Sequence, residues 1–242
     1  MKNNFFLREK MTLSLPGSHL DLPVLTDKDE IDIVQWACQN HEFVTMVAIS
    51  LVRTAENIET VRNKLRGVEG GENMKFIAKI ENLEGLKNFE EILQVSDGVM
   101  IMRQQLALEL PQDKAFIAQK WMIQQANLAS KPVIVATQVF DSMIETGTQP
   151  TAQEASDVST CVFDGVDAIM LNEETSNGEQ PIQSVNFLSK ICAEAERCID
   201  YKATFNDIKN MSSRNISPAE GLAAQTVKTS QNLGVDLIVV HT

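Results

Sequence analysis

Met74-Lys75-Phe76-Ile77-Ala78-Lys79-Ile80-Glu81-Asn82 is a short β-branched and apolar run that ends abruptly in charged groups. It reads as a buried strand with chemistry at its exit. Side chains alternate faces along a strand with a period of two, so Lys79 and Glu81 point to one side while Ile80 packs on the other. A cation and an anion then share one pocket. Taken alone, the pair reads equally well as a surface ion pair on a βα loop.

The same order of elements surrounds this stretch. Residues 43–49 form an apolar run ending in Ser50 and Arg53, and a helix with Ile58, Val61 and Leu65 on one face follows. Strand then helix recurs at 76–80 and 84–95, at 98–102 and 113–130, at 132–137 and 154–163, and at 168–171 and 181–201. Upstream, the prolines at 16 and 23 make residues 13–25 an extended connector. Thr26-Asp27-Lys28-Asp29 then starts a helix that runs to near Asn40. Continuous apolar strands alternating with amphipathic helices imply parallel pairing and right-handed crossovers, hence an α/β fold. Each strand is followed by polar residues: Ser50 and Arg53, Lys79 and Glu81, Arg103 with Gln104 and Gln105, Thr137 with Gln138, Asn172 with Glu174. Polar strand ends of this kind build the site of a TIM-type (β/α) barrel, and no Gly-rich dinucleotide-binding turn follows any strand. The pattern predicts a partial barrel of about five of the eight strands. Residues 1–200 are expected to hold that barrel. Residues 201–242 are expected to hold a linker, polar through 210–215, and the first helix (from Pro218 to about Leu233, closed by Gly234) and strand (235–240) of a second α/β domain.

With 43% hydrophobic and 22% charged residues, the 242-residue chain is expected to bury a sizeable core. A formal charge of −12 opposes binding to nucleic acid or to an anionic membrane surface, which both need a basic footprint. Cys38, Cys161, Cys192 and Cys198 show no paired metal-ligand spacing and read as reduced core or near-core thiols. The first ten residues have too short an apolar run for a signal peptide, and no stretch is long enough to span a bilayer, so a cytoplasmic protein is expected.

The motifs together resemble the pyruvate kinase family over nearly the whole chain. They are Leu15-Pro16-Gly17 with Asp21-Leu22-Pro23, Lys79-Ile80-Glu81-Asn82, Ser96-Asp97-Gly98, Ala136-Thr137-Gln138, Ser156-Asp157-Val158, and Ile169-Met170-Leu171 followed by Glu174-Thr175. The resemblance implies transfer of phosphate from phosphoenolpyruvate to ADP, giving pyruvate and ATP in glycolysis. It implies that Lys79 contacts the transferring phosphoryl group and that Glu81 is a ligand of Mg²⁺. Thr137 is implied to bind the enolate and to lie on the proton-transfer path, although without the resemblance a β-branched residue closing a strand is the preferred reading, by about two to one. Backbone N–H groups at Gln104 and Gln105 would receive the substrate carboxylate. Lysine beside phosphate and a carboxylate-held metal are the parts that phosphoryl transfer needs.

The departures point elsewhere. Where the family has Ala-Arg-Gly-Asp-Leu-Gly, this chain has Met102-Arg103-Gln104-Gln105-Leu106-Ala107, so the second metal carboxylate becomes the neutral Gln105 and the Mg²⁺ site is weakened. Gln104 replaces a glycine, Asn172-Glu173-Glu174 stands for Ser-Gly-Glu, and Ala152 replaces an arginine that ties subunits together. The resemblance also places the family's lid, first three barrel strands, substrate-binding arginine and K⁺ ligands outside this chain. The alternative reading is therefore a non-catalytic subunit or regulatory binding protein. On either reading, unclosed strands predict self-association or pairing with a full-length homologous subunit.

Overall fold

The computed structural model describes residues 22–145, 149–211, 216–235 and 237–240. The connector expected at 13–25 lies mostly outside them. Thr26 caps α1 (Asp27–Ile31) with a reciprocal Thr26–Asp29 capping box, and the helix continues as one wider π-type turn through Ala37. Then follow β1 (Met46–Ile49), α2 (Ala55–Leu65), β2 (Lys75–Ile80), α3 (Leu83–Lys87), α4 (Phe89–Val95) and β3 (Gly98–Met102). Next come α5 (Arg103–Glu109), α6 (Gln112–Leu128), β4 (Val133–Ala136), α7 (Asp141–Glu145), α8 (Ala152–Phe163) and β5 (Ala168–Met170). The chain ends in α9 (Glu173–Ser176), α10 (Pro181–Arg197), α11 (Tyr201–Met211) and α12 (Pro218–Leu233).

All five strands pair in parallel, in the order β1-β2-β3-β4-β5. A doubly wound sheet reverses strand order at a switch point, whereas sequential order is how a barrel is built. The chain therefore forms five strands of a TIM-type barrel. Register is pinned twice by one device. Asp97 brackets Phe76, accepting its N–H on the carboxylate and donating its own N–H to its carbonyl, both at 2.9 Å. Asp167 does the same to Val133, at 2.9 and 3.0 Å. Each aspartate sits just before a strand and locks it to its neighbour. Gly98 is required beside the first of them, because a Cβ there would lie 2.9 Å from the Pro132 carbonyl oxygen.

The main core lies between sheet and helices. Phe76, Ala78, Ile80, Val99, Ile101, Val133 and Val135 pack against Ile58, Val61, Ile92, Met122, Ile123 and Cys161. Burying such a side chain fully is worth about 1.5–3 kcal/mol. The opposite, barrel-inward face carries Ile77, Met100, Met102 and Ala136, with Ile134 and Met170 beside them.

Several expectations are corrected. The helix expected at 84–95 is broken at Asn88, whose side chain donates to the Arg53 carbonyl at 2.8 Å and turns the chain out of helical geometry. The helix expected at 181–201 ends at Arg197. Asp200 caps a new helix by accepting the Lys202 and Ala203 N–H groups, so the expected linker is helical as far as Met211. Residues 212–215 lie outside the described set. Gly234 closes α12 in the left-handed conformation as expected, but the described part of 235–240 pairs with no described strand and is not a strand. An isolated extended segment has no ladder to join. The inward face does not lie open at its centre: Ile77, Met100, Met102 and Ala136 are buried, while Ile134 and Met170 are half-buried. Cys38 and Cys161 are core thiols, and burial pushes Cys161 up to about 11, but Cys198 is exposed.

Candidate functional site

Parallel strands bring their C-terminal ends to one side, and the polar residues read from the sequence gather there. At the exit of β2, Lys79 Nζ lies 3.0 Å from Glu81 Oε1 and donates to Ser50 Oγ, beyond β1, at 2.8 Å. The two side chains are only 20% and 10% exposed, so they form an enclosed pair rather than a loop-surface one. Glu81 Oε1 is buried and accepts no well-directed hydrogen bond, and the contact with Lys79 is ionic only. Gln105 Oε1, on the first turn of α5, is likewise buried without a hydrogen-bond partner. Buried polar atoms are normally satisfied, so two orphaned oxygens at the exits of the adjacent strands β2 and β3 stand out. One anionic and one neutral oxygen suit a hard cation such as Mg²⁺ held weakly. No group of three or more His, Cys, Asp or Glu is placed to hold a metal ion among the described residues.

At the exit of β4, Thr137 is buried and adopts a φ of +69°, and Gln138 follows at +52°. A β-branched residue in this region costs about 1–3 kcal/mol unless its surroundings fix it. Here they do. Thr137 donates its hydroxyl proton to the Ala136 carbonyl at 2.6 Å, and its oxygen accepts the Gln104 N–H at 3.0 Å. The Gln104 N–H, expected to receive a substrate carboxylate, donates here to Thr137 Oγ1.

Two residues that the sequence placed at strand ends without assigning them a role hold this corner. Arg103 donates from Nε to the Thr137 carbonyl at 3.0 Å, reaches the Gln138 carbonyl and pairs with Asp157 on α8. Glu174 is 2% exposed, and its carboxylate accepts N–H groups from Val139 at 3.3 Å, Phe140 at 3.0 Å and Asn172 at 2.8 Å. Three N–H donors replace the water that a buried carboxylate loses. Both residues stand just past a strand, which is the signal that pointed to them. Nearby, Asp141 is held above the usual carboxylate range, first by burial and then by the negative charges of Glu174, Glu154 and Glu173. Glu154 is held below it, because hydrogen bonds from Ser142 and Thr151 outweigh burial.

The comparisons agree with this architecture. The family described as pyruvate kinase, barrel domain, matches residues 1–185. The chain belongs to the pyruvate kinase family. The pyruvate kinase of Eimeria tenella is 42% identical over 240 residues, covering 99% of this chain and 44% of that protein. The cytosolic pyruvate kinase isozyme of Nicotiana tabacum is 43% identical, covering 100% of this chain and 46% of that protein. The crystal structure of Cryptosporidium parvum pyruvate kinase matches 91% of this chain with a TM-score of 0.84 and 38% identity, and 46% of that chain is covered. The chain thus spans under half the length of the relatives it matches. Among the described residues, no helix is long and apolar enough to cross a membrane.

Proposed function

We propose that residues 1–242 carry the phosphoryl- and enolate-binding half of a pyruvate-kinase-type site, which moves a phosphoryl group between phosphoenolpyruvate and ADP. The observation that carries this reading is the enclosed Lys79–Glu81 pair at the exit of β2, together with two buried oxygens that lack hydrogen bonds: Glu81 Oε1 within the pair and Gln105 Oε1 at the exit of the adjacent strand β3. Lys79 neutralises the phosphoryl oxygens, and its bond to Ser50 keeps the ammonium in place. Glu81 and Gln105 hold a divalent cation. When bound, Mg²⁺ supplies further charge neutralisation at the phosphate. Thr137, fixed at the neighbouring strand end, presents its hydroxyl to the enolate. No described residue is assigned to K⁺. The relatives include a cytosolic isozyme, which supports a cytoplasmic location for this chain. The same reading makes residues 1–200 the barrel part and 201–242 the start of a second α/β unit.

A second reading, a pyruvate-kinase-like subunit that binds without catalysing, is favoured by one observation: Gln104 N–H is occupied by Thr137 Oγ1, while Gln105 carries no charge. Two measurements separate the readings. Phosphorus NMR of phosphoenolpyruvate with Mg²⁺ should show binding to the parent chain and none to Lys79→Met. A coupled pyruvate assay with ADP, Mg²⁺ and K⁺ should show no measurable turnover by residues 1–242 alone. Turnover after the chain is combined with a full-length relative carrying a disabled site supports the catalytic reading, and binding without turnover there supports the second. Equal phosphoenolpyruvate binding by Lys79→Met overturns both.

A further inference from the structure

Among the described residues, Thr137 and Gln138 are the one pair of consecutive non-glycine residues at positive φ, +69° and +52°. Such a turn persists only where its surroundings determine it. From the β3 side, the Arg103 guanidinium, whose side chain is 12% exposed, spans both carbonyls of the turn and the Asp157 carboxylate. From the β5 side, Glu174 fixes the next two N–H groups, those of Val139 and Phe140. Arg103 is also the residue before Gln104, whose N–H reaches Thr137 Oγ1. One residue therefore sets both the backbone of the turn and the helix start that meets its hydroxyl. A planar fork of N–H donors fits two carbonyls and a carboxylate at once, and a lysine ammonium does not.

We propose that Arg103 is a positioning residue that holds the Thr137–Gln138 turn left-handed and thereby fixes the Thr137 hydroxyl against the Gln104 N–H at the exit of β3. The proposal rests on the phosphotransfer reading, since it is that chemistry which uses the hydroxyl. Asp157 extends the clamp to α8, so the position of Thr137 depends on where that helix sits.

The test is amide hydrogen exchange at Gln104, whose N–H is protected only while Thr137 Oγ1 faces it. Arg103→Lys should speed Gln104 exchange about tenfold or more while amides of β2 and β3 keep their protection. Adding Gln138→Gly should restore most of that protection, because glycine takes positive φ without steric cost. Phosphoenolpyruvate affinity should follow the Gln104 protection across parent, single and double variants. Unchanged Gln104 exchange in Arg103→Lys overturns the proposal, as does loss of protection shared equally by the strand amides, which would make Arg103 merely structural. If no protein binds phosphoenolpyruvate, the phosphotransfer reading falls, and the exchange pattern alone still decides the role of Arg103.

Discussion

Thr137 Oγ1 accepts the Gln104 amide hydrogen at 3.0 Å, which joins the end of β4 to the first turn of α5. The hydroxyl is thus both a structural cap and the group assigned to substrate. Thr137→Val keeps shape and branching but leaves the N–H of the exposed Gln104 without its acceptor, and the loss of one such hydrogen bond costs about 0.5–1.5 kcal/mol. A urea melt should show that loss for Val. Thr137→Ser, which retains both hydrogen bonds and relieves crowding at positive φ, should melt close to the parent.

Asp97 predicts an acid-labile register. Burial alone would raise its pKa, but the Phe76 N–H and Arg62 bring it below the usual value. A carboxylate with a depressed folded pKa contributes stability that is complete above its unfolded pKa, about 3.9, and is lost as pH falls through the folded value. Stability measured from pH 7 downward should therefore hold until about pH 5 and decline below it. Asp97→Asn should be less stable at pH 7 and flatter in acid; an unchanged pH profile would mean that the bracket on Phe76 does not set the register.

Asp141 carries the opposite sign. Its pKa is raised by burial first and by Glu174, Glu154 and Glu173 next, so its charge destabilises the fold once pH passes above the unfolded value. Asp141→Asn should raise the melting midpoint at pH 7 and lose that advantage toward pH 3. Glu173→Gly should give a smaller gain in the same direction, since it removes one of the repelling charges.

How much of this was legible in the sequence follows from the kind of force involved. Periodicity and strand-end polarity placed all five strands and the Lys79–Glu81 pair, because burial on a period of two leaves a local mark. The break at Asn88 was not legible, since its cause is the Arg53 carbonyl, 35 residues away. The occupied Gln104 amide was hidden for the same reason, as it depends on Thr137 from another strand. The described part of 235–240 forms no strand, because an apolar run pairs only where a neighbour exists among the described residues. Arg103 was visible as a strand-end cation, but only packing shows that it reaches two carbonyls and Asp157 together.

Unclosed edges predict association. Among the described residues β1 and β5 each pair on one side only, and Phe43 and Met46, beside and on β1, are 85% and 57% exposed. Exposed parallel edges recruit other chains. Light scattering behind size exclusion should find residues 1–242 as dimers or larger at micromolar concentration, and binding of an apolar-surface dye should fall on addition of a full-length relative. A monomer that binds no dye would show that the edges are covered.

The central claim is that Glu81 and Gln105 face one cation site. Paramagnetic-resonance titration with Mn²⁺ of the parent, Glu81→Gln and Gln105→Asp tests it most directly, since it needs no turnover. The parent should bind weakly, Glu81→Gln should lose binding, and Gln105→Asp should bind about tenfold or more tightly because a second anionic oxygen joins the site. Equal Mn²⁺ affinity in all three proteins would contradict the account.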